Sequence, residues 1–279
     1  SSQNILSVFK QLSIIEAIIL GIVQGLTEFL PVSSSGHIEL GKVILGVEMA
    51  DPLLFSIVVH AATSLSTIVI FRMDIWMLIK LLFEPRLWNA GRQYILYIII
   101  SMVPAGLVGL LYKSELETFF DGNVRLVGFM LIVTALLLFM TTKVKRKKGK
   151  INYLPAILIG IVQAVAILPG ISRSGATISV ALMMGVSRSR AARFSFLMVI
   201  PLILGATLLD VKDYVELQQA GMAATDSVAP IALIAGFIAA FLSGLLACTW
   251  MIKLVKKSKL QYFAIYCLIA GIVAIAFSI

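Results

Sequence analysis

Charge is what this chain has least of. Only 13% of its 279 residues are Asp, Glu, Lys or Arg, against 60% hydrophobic, where a soluble domain of this size carries roughly 25% charged residues. Together with a mean hydropathy of +1.03, that shortage excludes a water-soluble globular domain and implies an integral membrane protein. Cysteine is nearly absent as well. Cys248 and Cys267 sit inside apolar runs and outside any C-x-x-C spacing, so neither a disulfide framework nor a zinc site is expected. No basic start with a small-residue exit, the mark of a cleavable leader, is visible in the sequence. Membrane insertion is therefore expected to come from the spanning segments themselves.

The charges that are present lie in short loops. A net charge of +9 would suit a nucleic-acid partner, but the basic residues cluster between apolar segments, where the positive-inside effect puts them, and no nucleic acid is expected. Apolar runs of spanning length, about 20 residues each, cover 53 to 71, 94 to 112, 124 to 142, 194 to 209, 230 to 250 and 260 to 279. Four loops gather 17 of the 23 basic residues: Arg72, Lys80, Arg86 and Arg92; Lys143, Lys145, Arg146, Lys147, Lys148 and Lys150; Arg188, Arg190 and Arg193; Lys253, Lys256, Lys257 and Lys259. These should face the cytoplasm. The loops holding Glu48 and Asp51, then Glu115, Glu117 and Asp121, then Asp210, Asp213, Glu216 and Asp226 should face outward.

What is abundant is self-similarity. Sliding the sequence by 139 residues without a gap sets Ala17 on Ala156, Gly21-Ile22-Val23-Gln24 on Gly160-Ile161-Val162-Gln163, Ser33 on Ser172, Ser35-Gly36 on Ser174-Gly175, and Gly46-Val47 on Gly185-Val186. The two copies, 13 to 47 and 153 to 186, are each a pair of short apolar pieces broken by Pro, Gly and Ser. Such a break leaves backbone groups that lipid cannot satisfy, so it belongs inside protein or beside a wet cavity. Both copies read as re-entrant helix hairpins. The basic loops alternate consistently only if each hairpin returns to its own side, which puts both termini outside and leaves three spans per half. The expected fold is an all-α polytopic membrane protein of two inverted repeats, 1 to 142 and 153 to 279, joined by a basic cytoplasmic linker at 143 to 152 into one structural domain. Repeats of this kind meet near the bilayer midplane, which brings the two polar breaks tip to tip.

The breaks hold the chemistry. Gln24 and Glu28, four residues apart, stack on one helix face; Glu28 can bind a divalent cation or act as a base, or be only a helix-end glutamate reaching water. Ser33, Ser34, Ser35 and Gly36 follow Pro31 and open the second half-helix, whose free N–H groups form an anion site. One serine suffices as a cap, and His37 beside them offers proton transfer near neutral pH. In the second break, Pro169-Gly170-Ile171-Ser172-Arg173-Ser174-Gly175-Ala176-Thr177, Arg173 is the only basic residue of its hairpin. Its planar fork matches phosphate oxygens, with Ser172, Ser174 and Thr177 as further donors, or it pairs with Glu28; both can hold. Gly21 and Gly25, like Gly160 and Ala164, read as close helix packing, and His60 as a structural hydrogen bond.

These motifs resemble the undecaprenyl pyrophosphate phosphatase family of bacterial inner membranes, the type associated with bacitracin resistance. The likeness rests on Gln24-x-x-x-Glu28 with Phe29-Leu30-Pro31-Val32-Ser33-Ser34-Ser35-Gly36-His37, on Pro169 to Thr177, and on Gly185-Val186-Ser187-Arg188 and Phe194-Ser195-Phe196 through Pro201. The resemblance implies removal of the terminal phosphate of a C55 isoprenyl pyrophosphate, giving the lipid carrier of cell-wall synthesis, in the inner membrane with the site opening outward. It maps Glu28, Ser34, His37 and Arg173 onto catalytic positions and Ser172, Ser174 and Thr177 around the phosphates. With Gln24, Ser33 and Ser35 these make the substrate-binding set. A divalent cation, magnesium or calcium, is implied with Glu28 as its ligand; Gln24 stands where many members have glutamate, which leaves that helix one carboxylate short. A long-chain isoprenyl pyrophosphate and the bilayer are the expected partners, with a homodimer left open. An anion or lipid-phosphate transporter is the rival reading, since inverted repeats with broken helices are transporter architecture. It needs anion binding but no nucleophile, whereas the enzyme reading favours Ser34 as nucleophile with His37, one helical turn on, handling its proton, and has attack by His37 or by water as its rivals.

Overall fold

The first helix, α1 (Ile14–Phe29), starts at a reciprocal cap: the Ser13 hydroxyl accepts the Glu16 N–H at 3.2 Å, and the Glu16 carboxylate accepts the Ser13 N–H at 2.9 Å. It stops at Leu30, which is extended (ψ 144°) because Pro31 disfavours a helical conformation in the residue before it. The computed structural model describes residues 12–45, 52–85, 89–120, 123–145, 148–220, 229–257 and 259–278. After α1 come α2 (Ser34–Leu45), α3 (Pro52–Leu82), α4 (Ala90–Phe120), α5 (Val124–Thr142), α6 (Tyr153–Val165), α7 (Arg173–Met183), α8 (Arg188–Gln219), α9 (Pro230–Lys256) and α10 (Leu260–Phe277). Among the described residues there is no strand, only an isolated bridge between Gly149 and Val186. Of the loop residues used to orient the chain, Glu48, Asp51, Arg86, Asp121, Arg146, Lys147 and Asp226 lie outside the described residues, as do Gly46 and Val47 at the end of the first hairpin.

Six helices are long and apolar enough to cross a membrane: α3, α4, α5, α8, α9 and α10. They are the six runs read from the sequence, but three of them overshoot. The run at 194 to 209 lies within a helix of 32 residues, roughly 48 Å long at 1.5 Å per residue, against a hydrocarbon core of about 30 Å. Helices α3 and α4, of 31 residues each, are nearly as long, and a sequence window tuned to apolar composition stops short of their more polar ends. Pro104 and Pro201 lie inside α4 and α8.

The offset of 139 residues carries the helices onto one another. It takes the starts of α1 and α2, at 14 and 34, onto those of α6 and α7, at 153 and 173. It pairs the starts of α3 with α8, α4 with α9 and α5 with α10 to within three residues. The packing crosses between halves. The long helix α9 takes α1 along it, and its counterpart α4 takes α6. Both contacts run over glycine. A Cβ on Gly21 would meet the Gly236 carbonyl at 2.5 Å, and one on Gly25 would meet Ser243 Oγ at 2.0 Å and the Ala240 carbonyl at 2.5 Å; Gly160 lies against Ser101 and Pro104. Helices α5 and α10 pack on each other through Gly128 and Gly271, each lying under the other's carbonyl. This close backbone approach is how helices associate where lipid supplies no hydrophobic drive.

Candidate active site

The two breaks meet. In the first, Ser33 takes the left-handed backbone conformation (φ 72°), which costs a non-glycine residue about 1 kcal/mol or more. The cost is offset by what that turn permits. Ser33 Oγ accepts the Gly36 N–H at 3.3 Å, capping α2, and the Gly170 N–H from the other hairpin at 3.1 Å. Gly170 itself has φ 96°, and a Cβ there would strike the Val127 carbonyl at 2.5 Å. In the second break Ser172 caps α7 by accepting the Gly175 N–H at 3.1 Å. Thr134 of α5 holds this loop from below: its hydroxyl donates to the Gly170 carbonyl at 3.0 Å and accepts the Ser172 N–H at 2.9 Å.

Glu28 is the hub between the tips. Its side chain is 3% exposed, and one carboxylate oxygen pairs with the Arg173 guanidinium, which reaches it from the start of α7. The other oxygen accepts from the Ser34 hydroxyl at 2.7 Å and from Gln24 Nε2 at 3.0 Å. Gln24, one turn back on α1, is itself buried. Both readings of Arg173 thus meet in one place: it pairs with Glu28 and points its fork into the junction of the hairpins. Removing one member of such a buried pair strands the other, at a cost of about 3 to 5 kcal/mol. Towards α8 the junction is bounded by Phe29, Ser174, Ser195, Phe196, Val199 and Ile203 around a void of only ≈ 10 Å³, room for about one water.

His37 faces elsewhere. Its Nδ1 lies 2.8 Å from the Ser33 carbonyl, an oxygen that can only accept, so Nδ1 carries the proton there. Its Nε2 then takes the Tyr266 hydroxyl at 2.7 Å, with the two rings stacked at 5.5 Å. The structure brings Ser34 to Glu28 and not to His37, although Ser34 and His37 share one turn of α2 and Glu28 lies on another helix. Ser35 is exposed, its hydroxyl 3.4 Å from Ser33. Ser174 reaches the Leu30 carbonyl at 3.4 Å, and Thr177 is buried between the Arg173 carbonyl at 2.8 Å and the Ser195 hydroxyl at 2.7 Å. Thus Ser33 and Ser174 tie the two tips to each other, Ser172 and Thr177 brace the second tip from within its own half, and Glu28, Ser34 and Arg173 form the charged centre.

Sequence reasoning missed Thr134, Ser195 and Tyr266. Ser195 lies in the stretch that carried the family likeness, whereas Thr134 and Tyr266 are single polar residues inside apolar spans and gave no signal beyond that. His60 keeps the local bond expected of it, Nδ1 to the Ser56 carbonyl at 2.9 Å.

A resident divalent cation does not fit this arrangement. Among the described residues no three His, Cys, Asp or Glu side chains come together as a metal group. Both Glu28 oxygens are already engaged by Arg173, Ser34 and Gln24. In this ion-paired arrangement the described residues of the site offer no free carboxylate to magnesium, which proteins hold by one or two carboxylates together with substrate phosphates.

Comparison with known proteins places the chain in a family. The chain is 53% identical over 269 residues to an undecaprenyl-diphosphatase of Christiangramia forsetii, covering 96% of this chain and 99% of that protein. It is 48% identical over 264 residues to an undecaprenyl-diphosphatase of Bacteroides fragilis (94% and 97% covered) and 40% identical over 277 residues to one of Alkaliphilus metalliredigens (95% and 98% covered). The family model described as bacitracin resistance protein BacA matches residues 17–273, from the first helix of one hairpin to the last span. With both breaks and all but the outermost turns of the first and last helices inside that match, this chain belongs to the bacitracin resistance protein BacA family.

Proposed function

We infer that this chain is a membrane-embedded undecaprenyl-diphosphatase, which removes the terminal phosphate of undecaprenyl pyrophosphate to leave undecaprenyl phosphate and inorganic phosphate. The observation that carries this is the Glu28 carboxylate bound at once by Arg173 and by the Ser34 hydroxyl, where two helix starts converge. A phosphate drawn to that junction takes the Arg173 fork by bidentate hydrogen bonds. Glu28, released from its ion pair, is left as the acceptor for the Ser34 proton. Ser34 Oγ then attacks the terminal phosphorus as the bond to the bridging oxygen breaks. The proton passes to Glu28, undecaprenyl phosphate departs, and the phosphoryl group stays on Ser34. Water attacks that phosphoserine, Glu28 returns its proton to the serine oxygen, and phosphate leaves. Charge on the transferring group is stabilised by Arg173 and by the N–H groups that open α2 and α7, the electrostatic part of such catalysis. His37, turned to Tyr266, holds the Ser33 turn that positions Ser34.

The divalent cation implied by the family resemblance arrives, in this reading, chelated by the pyrophosphate and so belongs to the substrate. The chain sits as a multi-pass protein in the bacterial plasma membrane, its halves inverted, its basic loops inside and the hairpin junction opening outward. Phosphate release from a long-chain isoprenyl pyrophosphate by purified protein, with and without chelator, tests the activity. Binding without release would sink the hydrolase and favour the transporter.

A further inference from the structure

Two adjoining hollows, of ≈ 220 and ≈ 470 Å³ and sharing Ser189, open around the start of α8. They are far from the catalytic junction: α7 runs from Arg173 at the junction to Met183 beside the hollows, roughly 15 Å of helix. Their rims carry Lys145 and Lys148 from the linker, Arg188, Arg190 and Arg193 from α8, and Lys256 from the end of α9. No Asp or Glu lines either hollow among the described residues. The smaller one has an apolar floor of Val144, Leu182 and Val186.

The positive-inside effect explains basic residues in a loop, but not this placement. Three arginines stand within the first two turns of α8, at the positive end of its dipole, where cations are disfavoured and no acid compensates in the first turn. The linker is also pinned against them. Gly149 N–H donates to the Gly185 carbonyl at 3.2 Å, Ser187 N–H donates to the Gly149 carbonyl at 3.1 Å, and Arg190 donates to the carbonyls of Lys148 and Gly149 at 2.8 and 3.0 Å. Asp74 pairs with Arg193 at 3.0 Å. The result is a cationic rim over an apolar floor, gathered at the start of α8.

We propose that this groove binds an anionic glycerophospholipid, its phosphate between Lys145, Lys256 and the arginines and its glycerol and first acyl carbons on Val144, Leu182 and Val186. The apolar floor favours a lipid over free phosphate, which would leave it unused. The full-length protein, purified and placed in nanodiscs of phosphatidylcholine mixed with phosphatidylglycerol, is the material for the test, and native mass spectrometry reads which lipids it retains. Phosphatidylglycerol should be retained in preference. The Lys145→Gln/Lys256→Gln variant should weaken that retention by roughly 25-fold, about five-fold for each lysine near an anionic headgroup, while Lys212→Gln, the same charge change on the exposed far part of α8, should not. Equal retention of the two lipids, an unchanged preference in the double variant, or an equal loss in Lys212→Gln would each overturn the proposal. So would displacement of the lipid by inorganic phosphate, which would mark a free-anion site. None of these readings depends on turnover, so they stand apart from the hydrolase assignment.

Discussion

The two hairpins are one design carrying different side chains. At matching positions, 139 residues apart, both have a glutamine on the first helix, Gln24 and Gln163, and a serine at the turn, Ser33 and Ser172. Where the first hairpin has Glu28, Ser34 and His37, the second has Ile167, Arg173 and Ala176. Ser34 and Arg173 thus occupy the same place in their repeats, and both reach the same carboxylate. Duplication supplies two helix starts pointed at one spot; divergence makes one of them an acceptor with a hydroxyl and the other a cation. The two glutamines show the same split: Gln24 donates to Glu28 at 3.0 Å, while Gln163 donates to the Ser101 carbonyl at 3.2 Å and holds two helices together.

Four experiments break or sharpen that comparison. Glu28→Gln removes the carboxylate that only the first hairpin has and keeps its size. Phosphate release should fall by about 100- to 10,000-fold, the range for losing a positioned base; a variant with near wild-type turnover would make Glu28 merely Arg173's partner. Next come the paired helix starts. Arg173→Lys should cost on the order of 100-fold, since a point charge cannot reproduce two parallel donors. Ser34→Ala should lose well over ten-fold, and rapid quenching with substrate labelled at the terminal phosphate should trap an acid-stable phosphoserine in the wild type. An acid-labile adduct would move the attack to His37, and Ser34→Ala activity above about a tenth, a loss under ~1.4 kcal/mol, would exclude the serine.

The third experiment compares the two turn serines. Ser33→Ala orphans the Gly36 and Gly170 N–H groups and should lower stability by about 2 to 3 kcal/mol, whereas Ser172→Ala loses one cap, worth about 1 kcal/mol. Thermal unfolding in a fixed detergent reads the difference, and equal losses would mean that the contact between hairpins contributes nothing. The smallest effect is expected from Tyr266→Phe. It deletes one neutral hydrogen bond to His37, about 1 kcal/mol, and should lower turnover by no more than about ten-fold; a larger fall would give the tyrosine or His37 a direct part in proton transfer.

The hairpins and the six spans were legible in the sequence because each rests on local chemistry. Pro31 and the serine-glycine breaks interrupt helix wherever they occur, and Gly21, Gly25 and Gly160 marked contact faces that the structure confirms. The ion pair of Glu28 with Arg173 was legible too, because few charges lie at that depth and each needs a partner. The handover of Ser34 was not. Three residues separate Ser34 from His37, and an ideal helical spacing sets them side by side. The left-handed turn at Ser33, which no composition rule announces for serine, starts α2 so that Ser34 meets Glu28 while the imidazole meets Tyr266. Thr134 and Tyr266 act across 38 and 229 residues of sequence, and single polar residues in apolar spans carry no address for such partners.

The Glu28–Arg173 pair also sets a timetable for biogenesis. The two residues lie 145 apart in the chain, so at a ribosomal rate of about 5 to 20 residues per second the arginine follows the glutamate by roughly 7 to 30 s. Throughout that interval the first hairpin must wait at the translocon, or in the bilayer, without its counter-ion and without the Gly170 N–H that closes its turn. The amino-terminal half is therefore a client in need of shelter until the second half emerges, and a substitution that removes the Arg173 charge extends that need beyond the end of synthesis.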